Sequence, residues 1–299
     1  MKIKMDRTVR LLAVTLVVFI SACAGQQTKT ASSVVDYLYP KGTDVTIQPS
    51  IPILSIPLKV GIAFVPEKKM ESRGVNPWTG RAMGISALTE ANKTDLLDKV
   101  ASHFKAYEFV SEIEVIPSAY LTAGGSFSNL EQIKTMYGVD VIALVSYDQV
   151  QFTDEDYLSL TYWTLIGAYI ISGEKNDTST MIDTVVYDIK SKKMLFRAPG
   201  TSNVKGRSTP INLTEELRAD SMTSFNEATD KMIQNLDFQL SSFTDKIKNN
   251  PKKAQVIMRE GYSGGGAFGV FEIVLLLALV LIAVIKLKSR VVIRSHEID

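Results

Sequence analysis

Cysteine and histidine are nearly missing from this sequence: its 299 residues include one cysteine, Cys23, and two histidines, His103 and His296. One cysteine excludes an internal disulfide framework, and so few cysteines and histidines exclude a zinc site built from them. The middle of the chain has no cysteine and one histidine, which leaves little basis for a Ser-His-Asp or Cys-His catalytic arrangement. We therefore expect no metal, no cofactor and no enzymatic activity.

An excess of charge of one sign is also missing. The 33 lysines and arginines nearly cancel the 32 aspartates and glutamates, and the net charge is +1. Such a chain has no strong field to attract nucleic acid, so we expect no nucleic-acid partner. Apolar residues make up 45% of the chain and charged residues 22%, as in ordinary folded proteins, and the length suits one medium domain or two small ones.

The N-terminal segment has the features of a secretory signal. Four basic residues within the first ten positions precede an apolar run over residues 11–20, and small residues follow the run. This arrangement is typical of a signal peptide. The apolar core is shorter than the roughly 20 residues that a transmembrane helix needs. Residues 1–22 are therefore predicted to be removed.

The four residues Ile20-Ser21-Ala22-Cys23 resemble the lipobox of bacterial lipoproteins. The resemblance implies that prolipoprotein diacylglyceryl transferase modifies the Cys23 sulfur, that lipoprotein signal peptidase cuts after Ala22, and that the freed amine is then acylated. Several acyl chains hold a protein firmly in a membrane, whereas one chain binds only marginally. In such lipoproteins, an aspartate directly after the cysteine tends to mean retention in the inner membrane. This chain has Ala24 at that position, which implies export to the outer membrane. The alternative is an ordinary signal peptide with an incidental cysteine.

The C-terminal segment contains an apolar stretch with the length of one membrane crossing. Residues 267–285 are apolar except for Gly269 and Glu272, and basic residues follow them. Positive charges stay on the cytoplasmic side of the inner membrane, where the signal peptide also leaves its basic end. The two ends therefore agree that the chain between them lies on the far side of that membrane.

Three glycines, Gly264, Gly265 and Gly266, stand directly before the apolar stretch. Glycine disfavours the helix by ~1 kcal/mol per residue relative to alanine, so this junction opens readily for a protease that needs extended backbone. The glycines, the apolar stretch and the basic tail resemble the GlyGly-CTERM sorting signal. That signal is the target of rhombosortase, a rhomboid-type intramembrane serine protease of Gram-negative bacteria.

A lipobox at one end and this signal at the other are similar to the family called rhombotarget lipoprotein. The resemblance implies cleavage near Gly264 to Gly266, loss of the helix, and transport outward to the outer membrane and the cell surface. Residues 291–299 extend past the usual short basic stop, which departs from the family pattern. The alternative is a plain C-terminal membrane anchor that is retained.

Strand and helix patterns alternate in the middle of the chain. Strands are predicted at residues 58–66, 108–117 and 139–152, and helices at residues 89–107 and 128–138. A capping box of Ser128 and Glu131 opens the second helix, and Gly138 closes it.

The second half of the middle segment predicts a hairpin over residues 181–200 and a long helix from Asn212, which ends before Pro251. Residues 157–171 favour a strand over a helix. The fold class is therefore predicted as α+β, a mixed β-sheet with packed helices. The outline is similar to periplasmic lipoprotein domains of the curli-secretion (CsgG-like) and penicillin-binding-protein-activator type.

Six segments follow from these patterns. They are the signal peptide 1–22, a polar tether 23–50, the globular α/β envelope domain 51–250, a linker 251–263, the sorting signal with its transmembrane helix 264–290, and a cytoplasmic tail 291–299.

Three local features have a chemical interpretation and a plainer one. The glycines at 124–125 could hold an anion at a helix start, but without a phosphate-binding pattern we predict a loop that leads into a helix. The acidic residues 154–156 could bind calcium or act as paired carboxylates, and the plainer prediction is a solvated turn. His103 is predicted to be a solvated residue at a helix end.

The function expected from the sequence is that of a non-enzymatic cell-envelope lipoprotein that binds envelope partners. Its partners would be membrane lipid, the two lipoprotein-processing enzymes, the rhomboid-type protease and an envelope protein. Two alternatives stay open. One is an enzyme that uses carboxylates on the rim of the sheet, and the other is a secretion or assembly factor that keeps its C-terminal helix.

Overall fold

The computed structural model describes residues 26–42, 50–68, 71–73, 88–155, 174–209, 211–250 and 253–260. Up to Arg259 these residues belong to one compact unit. The strands are β1 (Gln26–Ala31), β2 (Ile53–Ile56), β3 (Leu58–Phe64), β4 (Glu71–Arg73), β5 (Val110–Val115), β6 (Val141–Glu155), β7 (Glu174–Asp188), β8 (Lys193–Ser208) and β9 (Gln255–Met258). The helices are α1 (Val34–Leu38), α2 (Glu90–Phe104), α3 (Ser126–Tyr137) and α4 (Leu213–Asn249).

Seven strands form one mixed sheet around β6, and β2 and β9 form a separate parallel ribbon. One edge of β6 pairs antiparallel with β7 over its whole length, and β8 continues the sheet beyond β7. The other edge is divided between two strands. Its first part pairs parallel with β3, and its second part, from Asp148 to Thr153, pairs antiparallel with β1. β5 and β4 then complete the two outer positions.

The alternation of β6 places helices on both faces of the sheet, because successive side chains of a strand point to opposite faces. Val141 and Val145 belong to the core beneath α2 and α4. Ile142 and Leu144 belong to the core beneath α1 and α3. Fully burying a side chain of this size stabilises the fold by about 1.5–3 kcal/mol, so the all-apolar start of β6 accounts for its central position.

The face of β6 beneath α4 becomes polar beyond Tyr147. The Gln149 amide donates to the Thr180 hydroxyl (2.8 Å), and the Gln151 amide donates to the Leu217 carbonyl (2.8 Å). The Ser221 hydroxyl donates to the Gln149 carbonyl oxygen (2.7 Å). Buried polar groups are costly unless they are paired, so this seam holds α4 at one position along the sheet.

The predicted fold class is confirmed: the described residues form an α+β fold with a mixed sheet and packed helices. The strands expected at 58–66, 108–117 and 139–152 correspond to β3, β5 and β6, and the predicted hairpin is the start of the longer β7–β8 pair. No helix among the described ranges is both long and apolar enough to cross a membrane. The signal peptide, residues 157–171 and the apolar stretch 267–285 lie outside those ranges.

Two of the predicted segment boundaries are wrong. The proposed tether contains β1, whose threonines Thr28 and Thr30 are buried against the sheet. The polar sequence of β1 did not predict a strand, because pairing with β6 uses backbone groups and does not require apolar side chains. The proposed linker likewise contains β9, which pairs with β2. The compact unit therefore includes β1 and β9, which lie outside the predicted range 51–250.

One prediction about a helix start is also wrong. α3 begins at Ser126, and the Ser128 hydroxyl donates to the Gly125 carbonyl (2.9 Å) instead of capping the helix. The long helix predicted from Asn212 is confirmed by α4, for which Asn212 is the N-cap residue although its side chain makes no capping hydrogen bond. Gly138 ends α3 as predicted, in the left-handed conformation with φ of 67° that glycine adopts without strain.

Candidate functional site

The residues predicted for lipidation and processing lie just outside the described domain. Ala22 and Cys23 precede Gln26, the first residue of β1, and Gly264 to Gly266 follow Met258, the last residue of β9. The described structure therefore does not bring these sites together with other groups. It shows instead that the sheet begins three residues after Cys23.

A groove of about 720 Å³ lies on the sheet face opposite α4. We call this surface the open face, defined by its lining from β1, β6, β7 and β8. At one end the groove is bounded by α1 and Lys68. It exists because α1 and α3 cover only the first half of β6, while β6, β7 and β8 extend beyond them.

Ion pairs run across the open face. Lys29 Nζ lies 3.1 Å from the Asp148 carboxylate, and Arg197 Nε lies 2.8 Å from the Asp183 carboxylate. A third pair, Lys68 with Asp36, stands at the rim. The Lys29–Asp148 and Lys68–Asp36 pairs are exposed on both sides and contribute about 0–1 kcal/mol each to stability. The Asp183 carboxylate is only 13% exposed, so its pair with Arg197 is less screened by solvent.

Apolar side chains lie among these charges. Val35, Met181 and Met194 all line the groove and are 65%, 39% and 55% exposed. Small-molecule pockets are mostly enclosed and apolar. An open surface that mixes exposed methionine, aliphatic side chains and charged groups is closer to a protein-binding surface, where methionine and arginine are enriched.

A buried charge network lies at the carboxyl end of β3, on the other side of the sheet. Lys93 Nζ, on the first turn of α2, is 2.7 Å from Glu67 and 3.0 Å from Glu90, and the Ser118 hydroxyl donates to Glu90 at 2.6 Å. The Tyr147 hydroxyl lies beside Glu67. Only the Glu90–Lys93 pair is local in sequence, so the contacts with Glu67 and Ser118 could not be predicted from a pattern within one segment.

The pKa shifts in this network favour the charged forms of the ion pair. Burial alone would lower the pKa of Lys93, but the Glu67 and Glu90 carboxylates outweigh it and raise that pKa. Burial would raise the pKa of Glu90, but hydrogen bonds from Ser118 and Lys93 bring it below its usual value. General acid–base catalysis needs a pKa near neutrality, and these shifts move both groups away from it. The network is suited to holding α2 on β3.

His103 belongs to a contact between helices. Its ring nitrogen Nε2 is 3.0 Å from the Asp237 carboxylate on α4, and the Tyr107 hydroxyl donates to the same carboxylate (2.8 Å). This hydrogen bond is the main cause that raises the pKa of Tyr107. The expectation of a solvated histidine at a helix end is confirmed, since His103 is exposed and lies in the last turn of α2. The contact with Asp237, which links α2 to α4, was not predicted.

The remaining candidates have plain structural roles. Gly125 forms the N-cap of α3, as predicted for a loop that leads into a helix, and the Asn129 side chain in that helix accepts from the Tyr37 hydroxyl (2.8 Å). Asp154 continues β6 and pairs in register with Lys175, so the predicted turn is wrong at that residue, while Asp156 lies outside the described ranges. In the described part of the chain, no group of three His, Cys, Asp or Glu side chains could hold a metal ion.

Neither a protein-family model nor a curated protein matches this chain. Several solved structures are similar to it. A dodecameric PelC variant from Paraburkholderia phytofirmans is 12% identical, with a TM-score of 0.29 over 65% of this chain and 98% of that one. A neuraminyllactose-binding hemagglutinin homologue from Helicobacter pylori is 8% identical, with a TM-score of 0.35 over 67% and 97%. A DUF330 protein from Xanthomonas campestris is 12% identical, with a TM-score of 0.29 over 67% and 95%. At these identities and scores, none of the three assigns a function to this chain.

Proposed function

We propose that this chain is a non-enzymatic lipoprotein of the Gram-negative cell envelope, acylated at Cys23 and cut at Gly264 to Gly266 by a rhomboid-type protease. The observation that carries the proposal is the position of the domain between the two signals. Every described strand and helix lies between Gln26 and Met258. Removal of residues 1–22 and of the apolar stretch 267–285 would therefore leave the whole described fold intact.

The need for the C-terminal cleavage follows from the strength of the two anchors. Several acyl chains hold the protein firmly, but insertion of a transmembrane helix is effectively irreversible. A chain that kept residues 267–285 would stay in the inner membrane. Cleavage at the glycines is then the step that allows the lipidated domain to reach the outer membrane.

The domain would act by binding another envelope protein on the open face. This surface combines exposed apolar side chains, Met181 and Met194, with the Arg197–Asp183 pair. A partner that covers these groups would bury methionine side chains, which adapt to irregular surfaces, and would exchange charge pairs at the rim.

Mass spectrometry of the mature protein tests the processing. In cells with an active rhomboid-type protease, we expect an N-terminal peptide that starts at an acylated Cys23 and no peptide from residues 267–285. Replacement of all three glycines, Gly264 to Gly266, by leucine should retain the C-terminal segment. An intact 267–285 peptide from the unaltered chain in such cells would contradict the proposal.

Site-specific photo-crosslinking tests the binding surface. A photoreactive residue at Met194 on the open face should give an adduct with an envelope protein. Met136 on α3 is a matched control, because it is 60% exposed, close to the 55% of Met194, but lies outside the groove. Equal adducts at the two positions, or none at Met194, would rule out the open face as the binding surface.

A further inference from the structure

The two ends of the described domain leave it at opposite ends of β6. Gln26 is in register with Thr153, near the carboxyl end of β6. Arg259 pairs with Asp140, directly before the first residue of β6. Its backbone amide also donates to the Ile56 carbonyl (2.9 Å), which ties the chain down at that point. At about 3.3 Å per residue, the distance from Asp140 to Thr153 along the strand is roughly 40 Å.

The chain segments that leave these two points are short. A fully extended chain spans at most about 3.3–3.6 Å per residue, so Cys23 lies within about 11 Å of Gln26, and Ala267 lies within about 29 Å of Arg259. A domain that stood upright on a bilayer would hold one of the two points roughly 40 Å above the other. Neither segment reaches that far. While both anchors occupy one membrane, β6 is therefore inclined at no more than about 45° to the membrane plane.

The end of the domain near Arg259 carries an exposed apolar surface. We call it the ribbon, consisting of β2, β9 and the residue Ile51. Five of its apolar side chains are between 41% and 61% exposed: Ile51, Ile53, Val256, Ile257 and Met258. By strand alternation, Ile53 and Ile257 point to one face of the ribbon, and Val256 and Met258 point to the other. A two-stranded ribbon with exposed apolar side chains on both faces is suited to insertion into the acyl boundary of a membrane.

Basic residues lie near the start of β9. Lys246 at the end of α4 and Lys253 before β9 line one surface together with Asp245, and both lysines are exposed. Apolar side chains flanked by lysines are typical of surfaces that bind anionic lipid, because the acyl boundary accepts the apolar groups and the headgroups attract the cations.

We propose that the ribbon is a membrane-contacting surface, and that the C-terminal apolar stretch keeps it within about 29 Å of the bilayer as long as the stretch is attached. The proposal rests on the anchoring at Cys23 and at residues 267–285 described above. Cleavage at Gly264 to Gly266 removes the second anchor. The end of the domain near Arg259 can then rise from the membrane, while the Gln26 end stays at the lipid.

Depth-dependent quenching tests this placement in the full-length chain. The sulfur of Cys23 carries lipid in the mature protein, so an introduced cysteine is the single free thiol and can be labelled with an environment-sensitive fluorophore. Ile257→Cys places the label on the ribbon. Met136→Cys is the control, because it is also an exposed apolar position near the start of β6 but belongs to α3, on the opposite face of the sheet. The labelled chains are reconstituted in phosphatidylethanolamine–phosphatidylglycerol vesicles that contain lipids with a quencher in the acyl chain.

The expected result is strong quenching at Ile257 and weak quenching at Met136. In a lipidated chain that ends after Arg259, quenching at Ile257 should fall at least threefold. Mass spectrometry first verifies that Cys23 is lipidated and that the 267–285 peptide is intact in the full chain. If the label at Ile257 is then not quenched, the ribbon proposal is overturned and the proposed function still stands. A chain without acyl groups at Cys23, or one extracted from the vesicles by alkaline carbonate, would contradict the proposed function itself.

Discussion

The replacement Gly200→Ala offers a direct test of how closely α4 lies on the sheet. A Cβ atom at position 200 of β8 would lie 2.1 Å from the Ala228 carbonyl oxygen and 2.5 Å from the Met232 amide nitrogen. Both atoms belong to the backbone of α4, so no side-chain rotation relieves the overlap. The helix would have to move by more than 1 Å from its seat on β8 to restore ordinary contact.

The expected cost follows from the atoms that are displaced. Overpacking of a dense interior costs typically 1–3 kcal/mol, and backbone neighbours place this site at the upper end, at about 3 kcal/mol. Loss of glycine flexibility in the unfolded chain offsets about 0.4–1 kcal/mol of that figure. A net loss of about 2–3 kcal/mol lowers the unfolding temperature of a domain this size by roughly 4–12 °C.

Gly206→Ala in the same strand is the matched control. There the added Cβ would lie 2.5 Å from an Asp220 carboxylate oxygen, which is the end of a flexible side chain that can rotate away. We expect a change within about 1 kcal/mol. Thermal unfolding of the detergent-purified proteins, followed by circular dichroism, measures both. Equal stability of the two variants would refute the close approach of α4 to β8.

Three further predictions concern charges and the lipid anchor. Lys93→Met leaves the Glu67 carboxylate, which is 27% exposed, without its cation and should cost about 1–2 kcal/mol in urea unfolding. Lys99→Met removes an exposed pair with Asp230 and should cost about 0–1 kcal/mol. Similar losses in the two variants would show that the ion pairs of Lys93 are not stabilising. The pKa of Glu90 is lowered in the folded chain, so the unfolded chain binds this proton more tightly. The stability that this carboxylate contributes is therefore present above pH 4.5 and should be lost as the pH falls through the lower folded pKa. Glu90→Gln should flatten the decrease of the free energy of unfolding at acid pH. Cys23→Ser should abolish incorporation of labelled fatty acid and leave the signal peptide attached, as seen by metabolic labelling and gel mobility; acylation of the variant would mean that the lipid is carried elsewhere.

Patterns within a single segment predicted much of this fold. The alternation in residues 58–66 and the apolar run of residues 139–152 each predicted a strand, and both predictions are confirmed by β3 and β6. The long helix predicted from Asn212 is confirmed by α4, which buries Phe225, Ala228 and Met232 at helical spacing. These patterns succeed because one sheet face or one helix side buries its own residues at a fixed period.

Features that depend on distant pairing were missed. β1 is polar, and it becomes a strand because the second half of β6 has a free edge for it. β9 becomes a strand because β2 lies beside it. His103 and Asp237 are 134 positions apart, so their contact depends on how α2 and α4 pack. The open face has the same origin, since it exists only where the helices fail to cover the sheet.

The amino-acid sequence by itself determined the predicted route of this chain. The basic and apolar segment before Cys23 and the glycines before residues 267–285 would act through their local composition, because a membrane or a protease contacts such segments directly. Tertiary structure alone decided that the two ends of the domain leave it about 40 Å apart, at opposite ends of β6. That distance depends on which strands share the edges of β6. Backbone hydrogen bonding between strands carries no local signature in the side chains, and so the pairing becomes visible only in the folded sheet.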